Sequence, residues 1–251
     1  MRSPFDLRGR TAFVTGAATG IGQAIAVALA ENGADMVLTS ELENLDDTAS
    51  LVVAAGRSAE RRRLDLSRAA DIEPVVADVL RSHRVDILVN AAGIIRRTPA
   101  PEHGEQDWRE VLEVNLTAAF TLSRLLVGPM LARGRGKVIN VASMLSFQGG
   151  HQAVSYAASK HGLVGLTRAF ANECAPGGVQ VNAVAPGYIA TRTTEALRAD
   201  PERSAEIVAR IPAGRWGSPA DVAGAAVFLA SAASDYVCGH VLAVDGGWMS
   251  R

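Results

Sequence analysis

A hydroxyl, a phenol and an amine lie within one short stretch of the sequence, at Ser143, Tyr156 and Lys160. Tyr156 and Lys160 are four residues apart, so on a helix their side chains share a face and can meet. Lowering the pKa of a tyrosine from about 10 to about 7 requires roughly 4 kcal/mol of preferential stabilisation of the phenolate, and a nearby ammonium is a source of it. Ser143 could then hold the oxygen of a carbonyl or an alcohol while Tyr156 donates or accepts the proton. A tyrosine four residues before a lysine is common on helices, so this interpretation depends on a redox partner elsewhere in the chain.

Three glycines with the spacing G-x-x-x-G-x-G follow the first apolar segment of the chain: Gly16, Gly20 and Gly22. An alanine-rich amphipathic segment (about 21–32) and a second apolar segment (35–40) come next, which predicts a strand, a turn, a helix and a strand. Glycines at such a turn let the backbone approach a pyrophosphate at the positive end of the helix. The spacing differs from the general dinucleotide fingerprint, G-x-G-x-x-G, but its position in this unit favours a dinucleotide.

Predicted strands and helices alternate along the rest of the chain. Apolar segments at 85–90, 137–142, 179–184 and 240–244 are predicted to be further strands. Continuously apolar strands between helices are typical of a parallel sheet that is covered on both faces. No linker, repeat or low-complexity segment divides the chain. The sequence therefore predicts an α/β protein with a single domain over 1–251, a doubly wound parallel sheet of about seven strands with helices on both faces.

The composition restricts the possible partners. Of 251 residues, 48% are hydrophobic, and 25 Lys and Arg against 26 Asp and Glu give a net charge of −1, so no global field attracts nucleic acid or an anionic membrane. The first ten residues carry charges where a signal peptide needs an apolar run, and no unbroken apolar stretch of membrane-spanning length occurs. The two cysteines, Cys174 and Cys238, show no metal-ligand spacing with the five histidines. We expect a cytoplasmic protein with no metal site and no nucleic-acid or membrane partner.

Six motifs occur in the order and spacing of the short-chain dehydrogenase/reductase family, which the chain resembles over essentially its whole length. They are Thr15-Gly16-x-x-x-Gly20-x-Gly22, Asn90-Ala91-Ala92-Gly93, Asn115, Ser143, Tyr156-x-x-x-Lys160 and Pro186-Gly187. Each motif is weak alone, whereas the joint match is specific. The resemblance implies a Rossmann fold and a nicotinamide-dependent oxidoreductase.

The resemblance also implies a catalytic set of four residues. Tyr156 resembles the general acid/base, and Lys160 resembles the group that lowers the pKa of the tyrosine and holds the nicotinamide ribose. Ser143 resembles the donor that polarises the substrate carbonyl. Asn115, in a predicted helical region (about 105–133), resembles the residue that holds a proton-relay water near the lysine; the alternative is a polar residue that satisfies a kink.

A set of cofactor contacts follows from the same resemblance. The implied residues are Gly16, Thr19, Gly20, Ile21, Gly22, Ser40, Glu41, Asp65, Leu66, Asn90, Ala91, Gly93, Tyr156, Lys160, Pro186, Gly187, Ile189 and Thr191. Ala91 stands where the family has a second Asn, which removes one side-chain hydrogen bond. NADP needs a cation for its 2′-phosphate, usually in the glycine loop or just after the second strand. The loop carries Thr19 instead, and Glu41 would repel a phosphate, whereas Ser40 or Glu41 could bond a free 2′-hydroxyl. The sequence thus favours NAD over NADP, although the aspartate usual for NAD is absent too.

Finer motifs resemble one subgroup of the family, the 2-deoxy-D-gluconate 3-dehydrogenases, also called 2-keto-3-deoxy-D-gluconate 5-dehydrogenases. These motifs are G-I-I-R-R, S-M-L-S-F-Q-G-G, R-I-P-A-G-R-W-G, A-S-D-Y-V and V-D-G-G-W. The resemblance implies a six-carbon sugar-acid substrate from pectin and uronate breakdown and a homotetramer. Arg96 or Arg97 could anchor the carboxylate, although loop arginines are often solvated, and Gln148 and Tyr188 could bind sugar hydroxyls or merely pack behind the site. The segment 191–216 is predicted to be a lid that excludes water.

Three alternatives stay open at this point. Within the family, the chain could be a gluconate 5-dehydrogenase or a 3-oxoacyl-carrier reductase, the latter disfavoured because no NADP-binding cation is offered. In another class, it could be a non-catalytic dinucleotide-binding regulator on the same fold. The intact set of Asn115, Ser143, Tyr156 and Lys160 argues against the regulator.

Overall fold

Seven parallel strands form one sheet in the computed structural model, which describes residues 3–41 and 44–251. The strands are β1 Thr11–Val14, β2 Asp35–Ser40, β3 Ala59–Arg63, β4 Ile87–Asn90, β5 Gly136–Val141, β6 Val179–Pro186 and β7 Val241–Val244. Their order in the sheet is β3-β2-β1-β4-β5-β6-β7, and every neighbouring pair is parallel. The predicted fold class is confirmed.

Helices connect the strands and cover the sheet on both sides. They are α1 Gly20–Glu31, α2 Asp46–Ala54, α3 Ala69–Ser82, α4 Glu105–Leu112, α5 Ala118–Ala132, α6 Val154–Cys174, α7 Glu195–Ala199, α8 Pro201–Arg210 and α9 Pro219–Ala230. Apolar residues of α1, α2 and α9 pack on one face of the sheet, and those of α3, α5 and α6 pack on the other. A π-helical turn, Glu113–Thr117, joins α4 to α5. The predicted helical region (about 105–133) is therefore continuous, but its pitch changes in the middle.

One helical stretch of the described chain, Glu105–Ala132, is long and apolar enough to cross a membrane by length and composition. This is weak evidence, because core helices of other proteins pass the same test. Leu122, Leu126 and Met130 of this stretch are at most 1% exposed and pack in the core beneath the sheet.

The carboxyl ends of the central strands meet at one edge of the sheet. From β1 the chain proceeds through β2 to β3 on one side, and from β4 through β7 on the other, so the strand order reverses between β1 and β4. Val14 of β1 is opposite Val89 of β4, and Asn90 of β4 is opposite Asn140 of β5. The segments that follow these strands thus emerge side by side at the switch point, where ligands of doubly wound sheets bind.

Candidate active site

A cavity of about 610 Å³ lies at this edge of the sheet. Predicted site residues in its wall are Gly16, Thr19, Gly20, Ile21, Gly22, Ser40, Glu41, Leu66, Ala91, Gly93, Ser143, Tyr156, Lys160, Pro186, Gly187, Ile189 and Thr191. Seven other predicted residues lie outside the wall: Asp65, Asn90, Arg96, Arg97, Asn115, Gln148 and Tyr188. Most of the predicted cofactor contacts are therefore brought together, and most of the predicted substrate contacts are not.

The glycine loop forms the floor of the middle of the cavity. Gly16 has a φ of +63°, and a Cβ placed on Gly22 would be 2.2 Å from the carbonyl oxygen of Gly16, so no side chain fits there. Helix α1 begins at Gly20, and the side chain of Thr19 makes no capping hydrogen bond. The amide groups of a first helical turn have no partner inside the helix and favour an anion. This loop fits the pyrophosphate of a dinucleotide.

Ser143, Tyr156 and Lys160 meet at one end of the cavity. Ser143 lies two residues after the end of β5, and its hydroxyl accepts the backbone N–H of Leu145 at 3.1 Å and lies close enough to the Tyr156 phenol to lower its pKa. Lys160 is 3% exposed, and its Nζ donates to the carbonyl oxygen of Val141 at 2.7 Å. The same Nζ lies 5.6 Å from the centroid of the Tyr156 ring. A proton donor, a second hydroxyl and a cation therefore face one space.

Lys160 is expected to lower the pKa of Tyr156, but in this structure the pKa of Tyr156 is raised. Burial raises the pKa of Tyr156 above its ordinary value, while the hydrogen bond with Ser143 and the charge of Arg97 lower it in part. Burial also lowers the pKa of Lys160 to about 8. Because Lys160 directs its Nζ to Val141 and not to the phenol, the opposing cation in this structure is Arg97.

Asn115 lies behind this end of the cavity, in the π-helical turn between α4 and α5. Its Nδ2 donates to the carbonyl oxygen of Ile94 at 2.9 Å and to Ser159 Oγ at 3.1 Å, and its Oδ1 accepts the backbone N–H of Ile94 at 2.8 Å. A Cβ on Gly93 would be 3.3 Å from Asn115 Oδ1 and 3.4 Å from Lys160 Nζ. Asn115 thus fixes the segment after β4 beside the lysine, a contact compatible with both interpretations of this residue.

The end of β2 forms the opposite end of the cavity. Ser40 and Glu41 lie in its wall, together with Leu64 and Leu66 from the segment that follows β3. Asp65, between the two leucines, turns away: its Oδ1 accepts the backbone N–H of Ser67 at 3.0 Å and the hydroxyl of the same residue at 2.7 Å. The predicted pair of Asp65 and Leu66 therefore contributes only its leucine to the wall.

Asn90 supports the cavity from beneath. It is 5% exposed, and its Nδ2 donates to Asn140 Oδ1 at 2.8 Å and to Ser123 Oγ at 3.4 Å. These bonds connect β4 with β5 and α5, so the Nδ2 of Asn90 holds the sheet, while its buried Oδ1 has no hydrogen-bond partner among the described residues.

Comparison with known proteins bears on this arrangement. A family model described as enoyl-(acyl carrier protein) reductase matches residues 16–249. The 2-dehydro-3-deoxy-D-gluconate 5-dehydrogenase of Bacillus subtilis (strain 168) is 53% identical to this chain over 251 residues, which are 100% of this chain and 99% of that protein. The chain belongs to the short-chain dehydrogenase/reductase family. It is a dinucleotide-dependent oxidoreductase that acts on CH–OH groups.

Two solved structures share the fold of this short-chain dehydrogenase closely. One, described provisionally as an NAD(P)-dependent gluconate 5-dehydrogenase from Beutenbergia cavernae with NADP at low occupancy, has a TM-score of 0.97 and 54% identity, covering 99% of this chain and 100% of that one. Another, described provisionally as a 2-deoxy-D-gluconate 3-dehydrogenase from Agrobacterium tumefaciens with bound NADP, has a TM-score of 0.95 and 51% identity, covering 100% of both chains. The first solved relative and the second were therefore both crystallised with NADP.

The two candidate carboxylate anchors of this dehydrogenase have different surroundings. Arg96 forms a bidentate pair with Glu110 of α4, with Nε at 3.1 Å and Nη2 at 2.9 Å from its oxygens, and its Nε lies 3.8 Å from Asp107. Arg97 has no ion pair among the residues that the structure describes, and its charge acts on Tyr156. The interpretation of Arg96 as an anchor is therefore not supported by its contacts, whereas Arg97 is placed to act at the tyrosine.

The two predicted contacts to sugar hydroxyls lie beside the cavity. Tyr188 packs edge to face against Trp216, with ring centroids 5.4 Å apart, and against Trp248, with centroids 4.8 Å apart. Gln148 is half-buried in the segment after Ser143. For Tyr188, the contacts agree with the alternative that the residue packs behind the site.

Two arginines in the cavity wall, Arg192 and Arg198, were not among the predicted site residues. The sequence placed both in the lid without a role; Arg192 lies in a 3-10 turn, Arg192–Thr194, and Arg198 lies in α7, which has only five residues. The one available signal was their position shortly after Pro186-Gly187, in a segment that the resemblance already brought to the cofactor.

Proposed function

We propose that the protein catalyses the NAD(H)-linked interconversion of a keto and a hydroxy group on a six-carbon deoxy sugar acid. The proposed reaction is of the 2-keto-3-deoxy-D-gluconate 5-dehydrogenase or 2-deoxy-D-gluconate 3-dehydrogenase type. The observation that carries it is the placement of Ser143 and Tyr156 as neighbours in the wall of the cavity that the glycine loop also lines. The names of relatives at 50–53% identity support the sugar acid.

The proposed roles follow from what each side chain can do. The glycine loop would hold a reduced nicotinamide dinucleotide, which would supply a hydride for the carbonyl carbon. The Ser143 hydroxyl donates a hydrogen bond to the oxygen that becomes negative, and Tyr156 donates its proton to that oxygen. A raised pKa keeps Tyr156 protonated at neutral pH, as an acid requires. Lys160 Nζ has donor capacity beyond its bond to Val141, so it can hold a ribose hydroxyl and return a proton.

We assign the substrate carboxylate to Arg97. A planar guanidinium binds a carboxylate through two parallel hydrogen bonds, and Arg97 is exposed at the tyrosine end of the site. The guanidinium of Arg96 already donates two hydrogen bonds to Glu110. These contacts support Arg97 rather than Arg96 as the proposed anchor.

We expect Arg97→Ala to raise KM for a keto sugar acid by about tenfold, since a charge-assisted hydrogen bond contributes about 1.5 kcal/mol. KM for a neutral keto sugar should change little. Arg96→Ala is the matched control, because it removes an exposed ion pair that stabilises the protein by less than about 1 kcal/mol. Steady-state kinetics of both variants with a charged and a neutral substrate decides the matter; equal effects of Arg97→Ala on the two substrates contradict the assignment.

The proposal of NAD(H) rests on the β2 end of the cavity. Among the described residues that line it, Glu41 is the one charged group, and a carboxylate there repels a 2′-phosphate and accepts a bond from a free hydroxyl. The NADP in two similar structures speaks for the other cofactor. The proposed preference for NAD(H) is therefore tested by comparing NADH with NADPH.

We further propose a cytoplasmic homotetramer. Trp108 of α4, Phe120 of α5 and Val154 of α6 are 37%, 43% and 41% exposed, and such apolar side chains on neighbouring helices favour contact with another copy. The family resemblance implies that the C-terminal region around Trp248 is also buried between subunits, and the side chain of Trp248 is already buried within the protomer at 6% exposure. The mass in solution by light scattering tests the assembly.

The test of the proposed function is the oxidation of NADH and of NADPH with a panel of 2-, 3- and 5-keto sugar acids. We expect the highest kcat/KM with a 3-deoxy keto acid and NADH. A best substrate of 5-keto-D-gluconate would instead identify a gluconate 5-dehydrogenase, and turnover of a 3-oxoacyl carrier with NADPH a carrier reductase. Binding of dinucleotide without turnover of any substrate would favour the non-catalytic regulator.

A further inference from the structure

Of the charged side chains in the lid (191–216), only two arginines line the cavity. Arg192 and Arg198 lie in the cavity wall. The other charged side chains between residues 191 and 216 do not line it: Glu195, Asp200, Glu202, Arg203, Glu206, Arg210 and Arg215. A lid of mixed charge thus offers only guanidinium groups to whatever the cavity holds.

These two arginines also differ from other lid arginines in their partners. Arg203 pairs with Glu206 at 2.6 Å, and Arg215 pairs with Asp221 at 2.8 Å. Within residues 3–41 and 44–251, neither Arg192 nor Arg198 has a carboxylate within 4.0 Å. Cations at a cavity wall that have no internal counterion are available for an anionic ligand.

The arginines lie opposite the glycine loop. Thr191 Cγ2 is 3.5 Å from the position that a Cβ of Gly20 would occupy, and Arg198 Nη2 donates to the carbonyl oxygen of Thr191 at 3.2 Å. Arg192 follows Thr191 directly. Arg198 is therefore bonded to, and Arg192 is adjacent in sequence to, a lid residue that meets the start of α1.

The chain holds this part of the lid in place. Ala190 N–H donates to the carbonyl oxygen of Gly217 at 2.8 Å, and Gly217 N–H donates to that of Tyr188 at 2.9 Å, so the two ends of the lid are joined beside β6. The Thr194 hydroxyl accepts the backbone N–H of Thr191 at 3.1 Å and closes the turn that carries Arg192. A cation on a preorganised turn loses less conformational freedom when it binds a ligand.

The two ends of the cavity have other charges. Glu41 follows β2 and Lys160 lies beside Tyr156, while Thr191, which precedes Arg192 and accepts a bond from Arg198, faces Gly20 of the glycine loop between them. In a dinucleotide that extends between these ends, the anionic group at the middle is the pyrophosphate. We propose that Arg192 and Arg198 bind this pyrophosphate from the lid side, so that the lid closes on the cofactor itself. The inference uses the cofactor site of the proposed function and is independent of which sugar acid is the substrate.

Binding of cofactor fragments tests the proposal without any turnover. ADP carries the diphosphate and adenosine does not. Calorimetry with ADP and ligand-observed NMR with adenosine therefore separate the contribution of the diphosphate to binding from that of the adenosine. We expect Arg192→Gln/Arg198→Gln to weaken ADP binding by about tenfold or more, since charge-assisted hydrogen bonds are the stronger class and tenfold corresponds to a single such contact. Adenosine binding should stay unchanged. The single variants divide the effect between the two arginines.

Arg203→Gln is the matched control, because Arg203 belongs to the same lid, faces Glu206 and lies outside the cavity wall. It should leave both affinities as they are. The proposal is overturned if the double variant binds ADP as the parent protein does, or if ADP and adenosine weaken equally. A rise in KM for the keto sugar acid without loss of ADP affinity would assign the arginines to the substrate carboxylate instead. A chain that binds ADP through these arginines yet turns over no sugar acid would retain this proposal and lose the proposed function.

Discussion

Tyr156→Phe is expected to lower kcat by about 10²–10⁴-fold, the range that a positioned acid or base contributes. The substitution removes the phenolic oxygen beside Ser143, and it leaves the ring that packs beside Lys160. NADH affinity should be nearly unchanged, because the glycine loop and the β2 end of the cavity do not involve the phenol. The measurement is kcat with a saturating keto sugar acid together with the dissociation constant of NADH from its fluorescence.

Tyr236→Phe provides the control for this change. The chain has three tyrosines, and Tyr236 is fully exposed on the surface, so the same loss of one hydroxyl should leave activity intact there. Full activity in the Tyr156 variant would exclude the acid role. A parallel loss of NADH affinity would show that the substitution had disturbed the cavity and not only the proton transfer.

The sequence predicts the fold, and the position of Tyr156 and Lys160 on one helix face, because both depend on local rules. Continuous apolar strands between helices predict a parallel sheet, and the structure contains one of seven strands. Gly22 was predicted from the need for close backbone approach, and the 2.2 Å between its absent Cβ and Gly16 oxygen shows the same need in space. Tyr156 and Lys160 share a face of α6 because four residues separate them.

What the sequence does not predict depends on contacts between distant segments. Arg96 and Glu110 are 14 residues apart, and their pairing is the contact that distinguishes Arg96 from the adjacent Arg97. The direction of the pKa shift at Tyr156 is a balance of burial against Ser143 and Arg97, which no spacing reveals. Arg198 reaches the cavity only because the lid folds back over α1. The sequence identifies candidate site residues, whereas contacts between distant segments distinguish one candidate from another.

Lys160 should lower the stability of the protein at neutral pH, and the effect should disappear in alkali. Burial lowers its pKa from 10.5 in the unfolded chain to about 8 in the folded protein. Below about pH 8 both states are protonated, and the folded state carries the whole cost of the buried charge, about 3 kcal/mol for a shift of this size. Between about pH 8 and 10.5 the unfolded state binds more protons, so the free energy of unfolding rises with pH relative to a protein without this group.

Lys160→Met removes the titrating group. Between about pH 8 and 10.5, we expect the free energy of unfolding of the parent protein to rise by about 3 kcal/mol relative to that of the variant. At pH 7 the variant should be more stable than the parent protein by less than this roughly 3 kcal/mol. The reason is that the carbonyl oxygen of Val141 loses its hydrogen-bond donor, which costs about 1–3 kcal/mol. Denaturant unfolding of the parent and variant proteins from about pH 7 to 10 measures the difference.

Lys160→Arg separates the charge from the titration. An arginine stays charged in this range, so its difference from the parent protein should have the same pH slope as that of the Met variant, with an offset from the permanent buried charge. A flat difference for both variants would mean that Lys160 has an ordinary pKa in the folded state and that its ammonium has found a partner there. If the slope is present, the chain retains at this position a cation that costs stability, which is expected of a group selected for chemistry beside Tyr156 and not for folding.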